Sequence, residues 1–233
     1  MTIVVVDSSS IISCATNCLL WVFDEMQKYG FKFIVPKGVK DEVIDGGLMT
    51  QKYKFEALRV MRHFTNNTFT EYENDLRQEA GTLLNFANSS FRIKNQDLKV
   101  LQEADAEVAV LASKINADAI MTDEITLRLF IENTDALQGL MQHRFHTNVK
   151  VDNNRIYEFK KHVKNTQVIR SADLVALAID LGIFDLTINT CLPMDPKSKK
   201  DLIEGVLYAL RFSGCGISFE EINDYVNLLL KKK

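Results

Sequence analysis

The chain has 233 residues, of which 46% are hydrophobic and 25% charged, with a formal net charge of -3. This is an ordinary globular composition, long enough for one large domain or for a core domain with a sizeable addition. It excludes a membrane-spanning helix, since no apolar run nears the ~18 residues a bilayer requires, and it excludes an overall cationic footprint for nucleic acid, so any such binding must come from a local patch. A Met-Thr start with Asp7 close behind does not read as a signal peptide. Cys14, Cys18, Cys191 and Cys215 lack a metal-ligand or secreted-scaffold spacing and read as buried free thiols in a reducing cytoplasm.

In chain order, 2–6 is a continuous β-branched run suited to a central strand covered on both faces. Asp7-Ser-Ser-Ser10 follows and can cap a helix over 11–29 that Gly30 stops. A second strand is expected at 31–35, and Pro36 opens a helix that carries Glu42 and ends at Gly46-Gly47. An insertion over about 48–97 then reads as helical, with one helix at 49–64, a turn at Asn66-Asn67 and a second helix from Thr70 or Glu71 to Ala87. From 106 to 115, Val108, Leu111, Ala112 and Ile115 recur at helical spacing, and 118–121 is a short apolar strand. A helix of about 11 residues runs roughly 16 Å, and the strand returns roughly 13 Å. Asp105 and Asp123 should therefore lie near one another.

Beyond Asp123 the pattern is helical: 125–132, 136–144, a helix over 172–181 capped by Ser171, 197–211, and a last helix opened by the capping box Ser218-Phe-Glu-Glu221. The expected fold is α/β, a three-layer α/β/α domain over 1–134 with a mostly parallel sheet and a helical insertion, followed by a helical C-terminal region over 135–233.

In an open α/β sheet a ligand site lies outside the carboxyl ends of the strands. Asp7, Asp123, Asp105 and Glu42 gather at that edge. Four converging carboxylates repel one another and raise some of their pKa values. A divalent cation removes that cost, and hard oxygen donors suit Mg2+ or Mn2+. Such an ion can bind a phosphate oxygen and lower the pKa of an attacking water, so no general-base histidine is needed. His143 and His146 lack the further ligands a zinc site requires. Ser at position 9 excludes a phosphatase of the Asp-x-Asp type.

These residues resemble the four motifs of the PIN-domain family of metal-dependent ribonucleases. They stand as Val6-Asp7-Ser8-Ser9-Ser10-Ile11-Ile12, as Pro36-Lys-Gly-Val39-Lys-Asp-Glu42, as Asp105 followed by Ala112, and as Met121-Thr122-Asp123. The resemblance covers about 1–45 and 98–132. It implies a three-layer α/β fold, metal ligation and catalysis by Asp7, Glu42, Asp105 and Asp123, and a Ser9 hydroxyl that orients Asp7. Thr122 and Glu124 stand beside the ligands, Glu124 within reach of a metal through water. Asp41 and Glu107 are neighbouring or surface acids. The long insertion and large C-terminal region depart from the small toxins of toxin–antitoxin pairs and look more like stand-alone archaeal members.

The implied activity is Mg2+- or Mn2+-dependent hydrolysis of single-stranded RNA, in the cytoplasm and away from membranes, with self-association into a homodimer left open. The alternative is a PIN-like RNA-binding or assembly scaffold that does not cleave. A DNA flap nuclease fits the acid chemistry but not the short chain. Two basic stretches are candidates for RNA contact. One is Lys52, Lys54, Arg59 and Arg62 around Tyr53, where the aromatic can stack a base. The other runs from Arg144 through Lys150, Arg155, Lys160, Lys161, His162 and Lys164 to Arg170.

Overall fold

The computed structural model describes residues 1–163, 166–185 and 196–231. Cys191, Lys164 and the terminal Lys232 and Lys233 lie outside the described residues. Its centre is β1 (Thr2–Val6), whose Val4, Val5 and Val6 are wholly buried. A strand buried on both faces must be paired on both edges, and β1 is: Val4 lies opposite Phe33 of β2 (Phe31–Pro36) and Ala119 of β6 (Ala119–Met121), both in parallel register. With β3 (Phe69–Tyr72) and β8 (Gln167–Ile169) at its edges, the full sheet is β3-β2-β1-β6-β8, all parallel, with helices on both faces, a three-layer α/β/α architecture. Among the described residues no helix is long and apolar enough to cross a membrane.

Two of these strands correct the helical reading of their segments. β3 (Phe69–Tyr72) lies inside the stretch expected to be a helical insertion, and β8 (Gln167–Ile169) inside the stretch expected to be a helical C-terminal region. The sheet therefore draws an edge strand from each. β3 is held by Phe69, which packs edge-on against Phe23 at 4.9 Å between ring centroids, as does Phe33. Burying a phenylalanine side chain is worth about 1.5–3 kcal/mol, which outweighs the helical tendency of the flanking residues. A second, three-stranded antiparallel sheet, formed by β4 (Phe91–Ile93), β5 (Gln96–Asp97) and β7 (Lys150–Val151), was not expected either.

The single helix expected over 11–29 is two: α1 (Ser8–Thr16) and α2 (Trp21–Lys28). Cys18 between them adopts a left-handed φ of 58° and is exposed, while Cys14 and Cys215 are buried free thiols as expected. After β2 the backbone runs through α3 (Lys37–Asp41), a wide π-helical turn at Glu42–Gly46 and α4 (Gly47–Met49), so Gly46-Gly47 does not end the helix. α5 (Lys54–Thr65) and α6 (Arg77–Asn88) follow. α7 (Glu103–Lys114) is buried from Asp105 to Ala112. A helix apolar on all sides belongs in an interior; the small Ala106, Ala109 and Ala112, all fully buried, let it lie close to the sheet. α8 (Ile125–Glu132), α9 (Thr134–Phe145) and α10 (Asn153–His162) lead to β8, and α11 (Ser171–Asp180), α12 (Pro196–Phe212) and α13 (Phe219–Lys231) complete the described fold.

Candidate functional site

Asp7 leaves the carboxyl end of β1 and caps α1. Its Oδ2 accepts from the Ser9 hydroxyl at 2.5 Å, the Thr122 hydroxyl at 2.9 Å and the Ser9 backbone N–H at 3.3 Å. The Ser9 oxygen in turn accepts from the backbone N–H of Asp123 at 3.0 Å. The ends of β1 and β6 are thus stitched together through Ser9 and Thr122, and the Ser9 hydroxyl holds Asp7 Oδ2. Burial raises the Asp7 carboxyl above its ordinary range, opposed by these donors.

Asp7 opens onto a cleft of about 540 Å³ that Glu42, Asp105 and Glu124 also line. Asp105 stands in the first turn of α7, its Oδ2 accepting from the Gln102 backbone N–H at 2.7 Å. Burial, the Asp7 charge and then those of Glu124 and Glu42 push its carboxyl up to about 7, against the holding effect of the Gln102 bond. Asp7 and Asp105 accordingly titrate as a pair. Glu42 lies exposed at the rim, where partial loss of hydration and the Asp7 charge raise it against a hydrogen bond with Ser8. Its place in the π-helical turn is notable, since such wide turns recur at functional sites.

Asp123 is not in the cleft. Its Oδ1 accepts from the Ser171 backbone N–H at 2.8 Å and its Oδ2 from the Ser171 hydroxyl at 2.6 Å, so it caps the start of α11. Ser171, expected to cap that helix itself, is its first residue and serves Asp123 instead. Glu124, one position on, lines the cleft and accepts from the Thr126 hydroxyl. Successive residues at a strand end point to opposite sides, and here the cleft side belongs to Glu124.

Of the basic candidates among the described residues, Arg144 lines the cleft and the others do not. Lys52 lies over the Tyr53 ring, Lys54 is exposed, and Arg59 donates to the Ala15 carbonyl at 2.8 Å, which makes it a brace between α5 and α1. Lys160 and Lys161 line clefts beside Gln167, at the opposite end of the sheet from Asp7. Lys99, which periodicity and motif gave no reason to single out, lines the acidic cleft. Asp41 and Glu107 face a separate cleft of about 430 Å³ across the start of α7.

The donor set of Asp7, Glu42, Asp105 and Glu124 is all hard carboxylate oxygen, which fits Mg2+ or Mn2+ and no softer metal. Burial first and the neighbouring carboxylates second make the Asp105 charge costly, and such an ion would offset both. The four are spread rather than closed: among the described residues no three His, Cys, Asp or Glu side chains form a group that could hold a metal ion. Compared with protein-family models, with curated proteins and with solved structures, the chain matches none.

Proposed function

We propose that the chain is a PIN-like, Mg2+- or Mn2+-dependent ribonuclease that hydrolyses phosphodiester bonds of single-stranded RNA in this cleft. What supports the reading most is one juxtaposition: Asp7, Glu42, Asp105 and Glu124, from four separate segments, around a single cleft at the carboxyl edge of a parallel sheet. Asp7 and Asp105 would hold the cation, with Glu42 and Glu124 completing its surroundings from the rim. When bound, the ion would supply charge stabilisation of the phosphoryl oxygens and a lowered pKa for the attacking water.

The chain's own residues do the rest. Ser9 and Thr122 fix the Asp7 carboxylate in one orientation. The Gln102 N–H fixes the orientation of Asp105 at the start of α7. Arg144 offers positive charge to a non-bridging phosphate oxygen.

The test is cleavage of an end-labelled single-stranded RNA with Mn2+, with EDTA, and by Asp105→Asn protein. Cleavage lost in both controls is expected; cleavage that survives Asp105→Asn would overturn the site. The second reading, a PIN-like RNA-binding or assembly scaffold, is favoured by the spread of the carboxylates. A calorimetric Mn2+ titration separates the two: only the nuclease requires Mn2+ binding that Asp105→Asn abolishes.

A further inference from the structure

We propose that Phe145, flanked by Arg144 and Lys99, forms a shelf in the acidic cleft on which one unpaired nucleobase stacks next to the reacting phosphodiester. The inference rests on the hydrolytic reading above and adds to it the way the substrate is held.

α9 ends abruptly because His146 turns left-handed, at a φ of 50°, so the chain leaves the helix just after Phe145. Phe145 is 46% exposed and is the one aromatic among the described residues lining the cleft that holds the four carboxylates. Ile12 and buried Met141 line the same cleft and extend the apolar surface. An aromatic face of this kind, open to solvent beside charged groups, suits a flat ring with polar edges better than an aliphatic chain.

Charge completes the case. Lys99 and Arg144 are both exposed in the cleft, and neither has an ion pair, hydrogen bond or ring partner among the described residues. Lys28, Lys40, Lys114, Lys161 and Arg170, by contrast, are all paired. Two free cations beside four acids would be wasted on a neutral ligand. They match a polyanion whose central phosphate sits at the carboxylates and whose neighbouring phosphates need neutralising. A base inside a duplex has both faces stacked already, so the shelf selects a single strand.

The test measures binding with Ca2+ in place of Mn2+, so that the carboxylates stay neutralised by a hard cation of less exacting geometry, by fluorescence anisotropy with a short labelled oligouridine. Phe145→Ala should weaken binding by about 5- to 140-fold, the usual range for one stacked base, and Phe145→Trp should restore it. An oligomer with the same ribose-phosphate backbone but no bases should bind the parent protein weakly, and Phe145→Ala should cause no further loss. Lys99→Ala and Arg144→Ala should each lower the salt dependence by about 0.7 in log–log slope. Equal losses on the baseless oligomer, or no effect of Phe145→Ala, would overturn the shelf, as would no measurable binding by the parent protein. RNA binding that needs Phe145 without any cleavage in Mn2+ would keep the shelf and remove the hydrolysis, whereas cleavage indifferent to Phe145 would do the reverse.

Discussion

The Glu107 carboxylate accepts a hydrogen bond from the Gly38 backbone N–H at 2.9 Å, and a Cβ at Gly38 would lie 2.5 Å from Glu107 Oε2. Glu107 sits two residues after Asp105 on α7, and Gly38 in the first turn of the helix that leads to Glu42. The pair therefore clamps the helix bearing one cleft acid to the segment bearing another. It is also an N-terminal cap supplied from a different helix. Replacing Glu107 by Ala leaves the Gly38 N–H without this acceptor and should cost about 1–2 kcal/mol in urea unfolding. Burial raises the Glu107 carboxyl, so its charge is held at a cost. Glu107→Gln, which keeps an acceptor and drops the charge, should recover most of the loss. Equal destabilisation by both substitutions would remove the clamp. Gly38→Ala must push the carboxylate aside, but an alanine gains roughly 1 kcal/mol of helix propensity. Its effect should show in Mn2+ affinity more than in stability.

Asp105 makes the metal-free protein sensitive to pH. Its carboxyl is raised from 3.8 to about 7, chiefly by burial and by Asp7. The folded state thus binds the proton more tightly than the unfolded state, and stability falls as pH rises between those two values. One unit is worth about 1.4 kcal/mol, so the ceiling is about 4 kcal/mol, shared with Asp7. In urea melts without divalent ions, the stability of the parent protein relative to Asp105→Asn should drop between about pH 4 and pH 7. Mn2+ added at the higher pH should reverse the drop, because a bound cation favours the charged form. A difference that does not move with pH would contradict the assignment.

Asp123 and Glu124 are adjacent in sequence and should separate cleanly in experiment. Asp123→Ala removes both acceptors of Ser171 at the start of α11, in a buried setting. Loss of the cap and the unpaired donors together should cost about 2–4 kcal/mol. Glu124→Gln is on the surface of the cleft and should leave unfolding unchanged within about 0.5 kcal/mol while weakening Mn2+ binding and cleavage. The opposite pattern, with Asp123 governing Mn2+ and Glu124 neither, would return Asp123 to the cleft.

That pair also marks the limit of what can be read from the chain alone. Asp7, Glu42 and Asp105 were legible because each follows a strand or opens a helix whose pattern is strong: the Val4–Val6 run and the alanine-rich 106–112 segment. Which of Asp123 and Glu124 faces the cleft depends on where Ser171 arrives, and Ser171 is 48 residues away in sequence. β3 was lost because Phe69-Thr-Glu-Tyr72 is short and lies on the sheet edge, so that its pairing with β2, not its own periodicity, makes it a strand. β8 spans only Gln167–Ile169 and is fixed in the same way by β6. Lys99 and Phe145 carry no motif; one lies between β5 and α7 and the other ends α9, and only the tertiary fold brings both to the cleft of the acids.

The same dependence on distant packing makes Arg170 the anchor of the C-terminal helix. Arg170 is buried to 7% exposure between β8 and α11. Its guanidinium bonds Asp173 Oδ2 at 3.1 Å, Glu221 Oε1 at 2.8 Å and the Gly216 carbonyl at 3.1 Å, while the Tyr225 hydroxyl donates to Asp173. α13 is therefore tied through Arg170 and Asp173 to the first turn of α11, whose Ser171 holds Asp123 and so the end of β6. Removing one member of a buried ionic network strands the others, typically at 3–5 kcal/mol. Glu221 is 40% exposed and can be rehydrated, which discounts the figure to about 2–3 kcal/mol here. Arg170→Ala should lower stability by that amount and open the 213–218 segment to limited proteolysis before the rest of the chain. Because the network holds none of the cleft acids and is linked to Asp123 through Ser171, Mn2+ affinity at low temperature should stay near that of the parent protein. A loss of affinity as large as that in Asp105→Asn would mean that the C-terminal helix shapes the cleft directly.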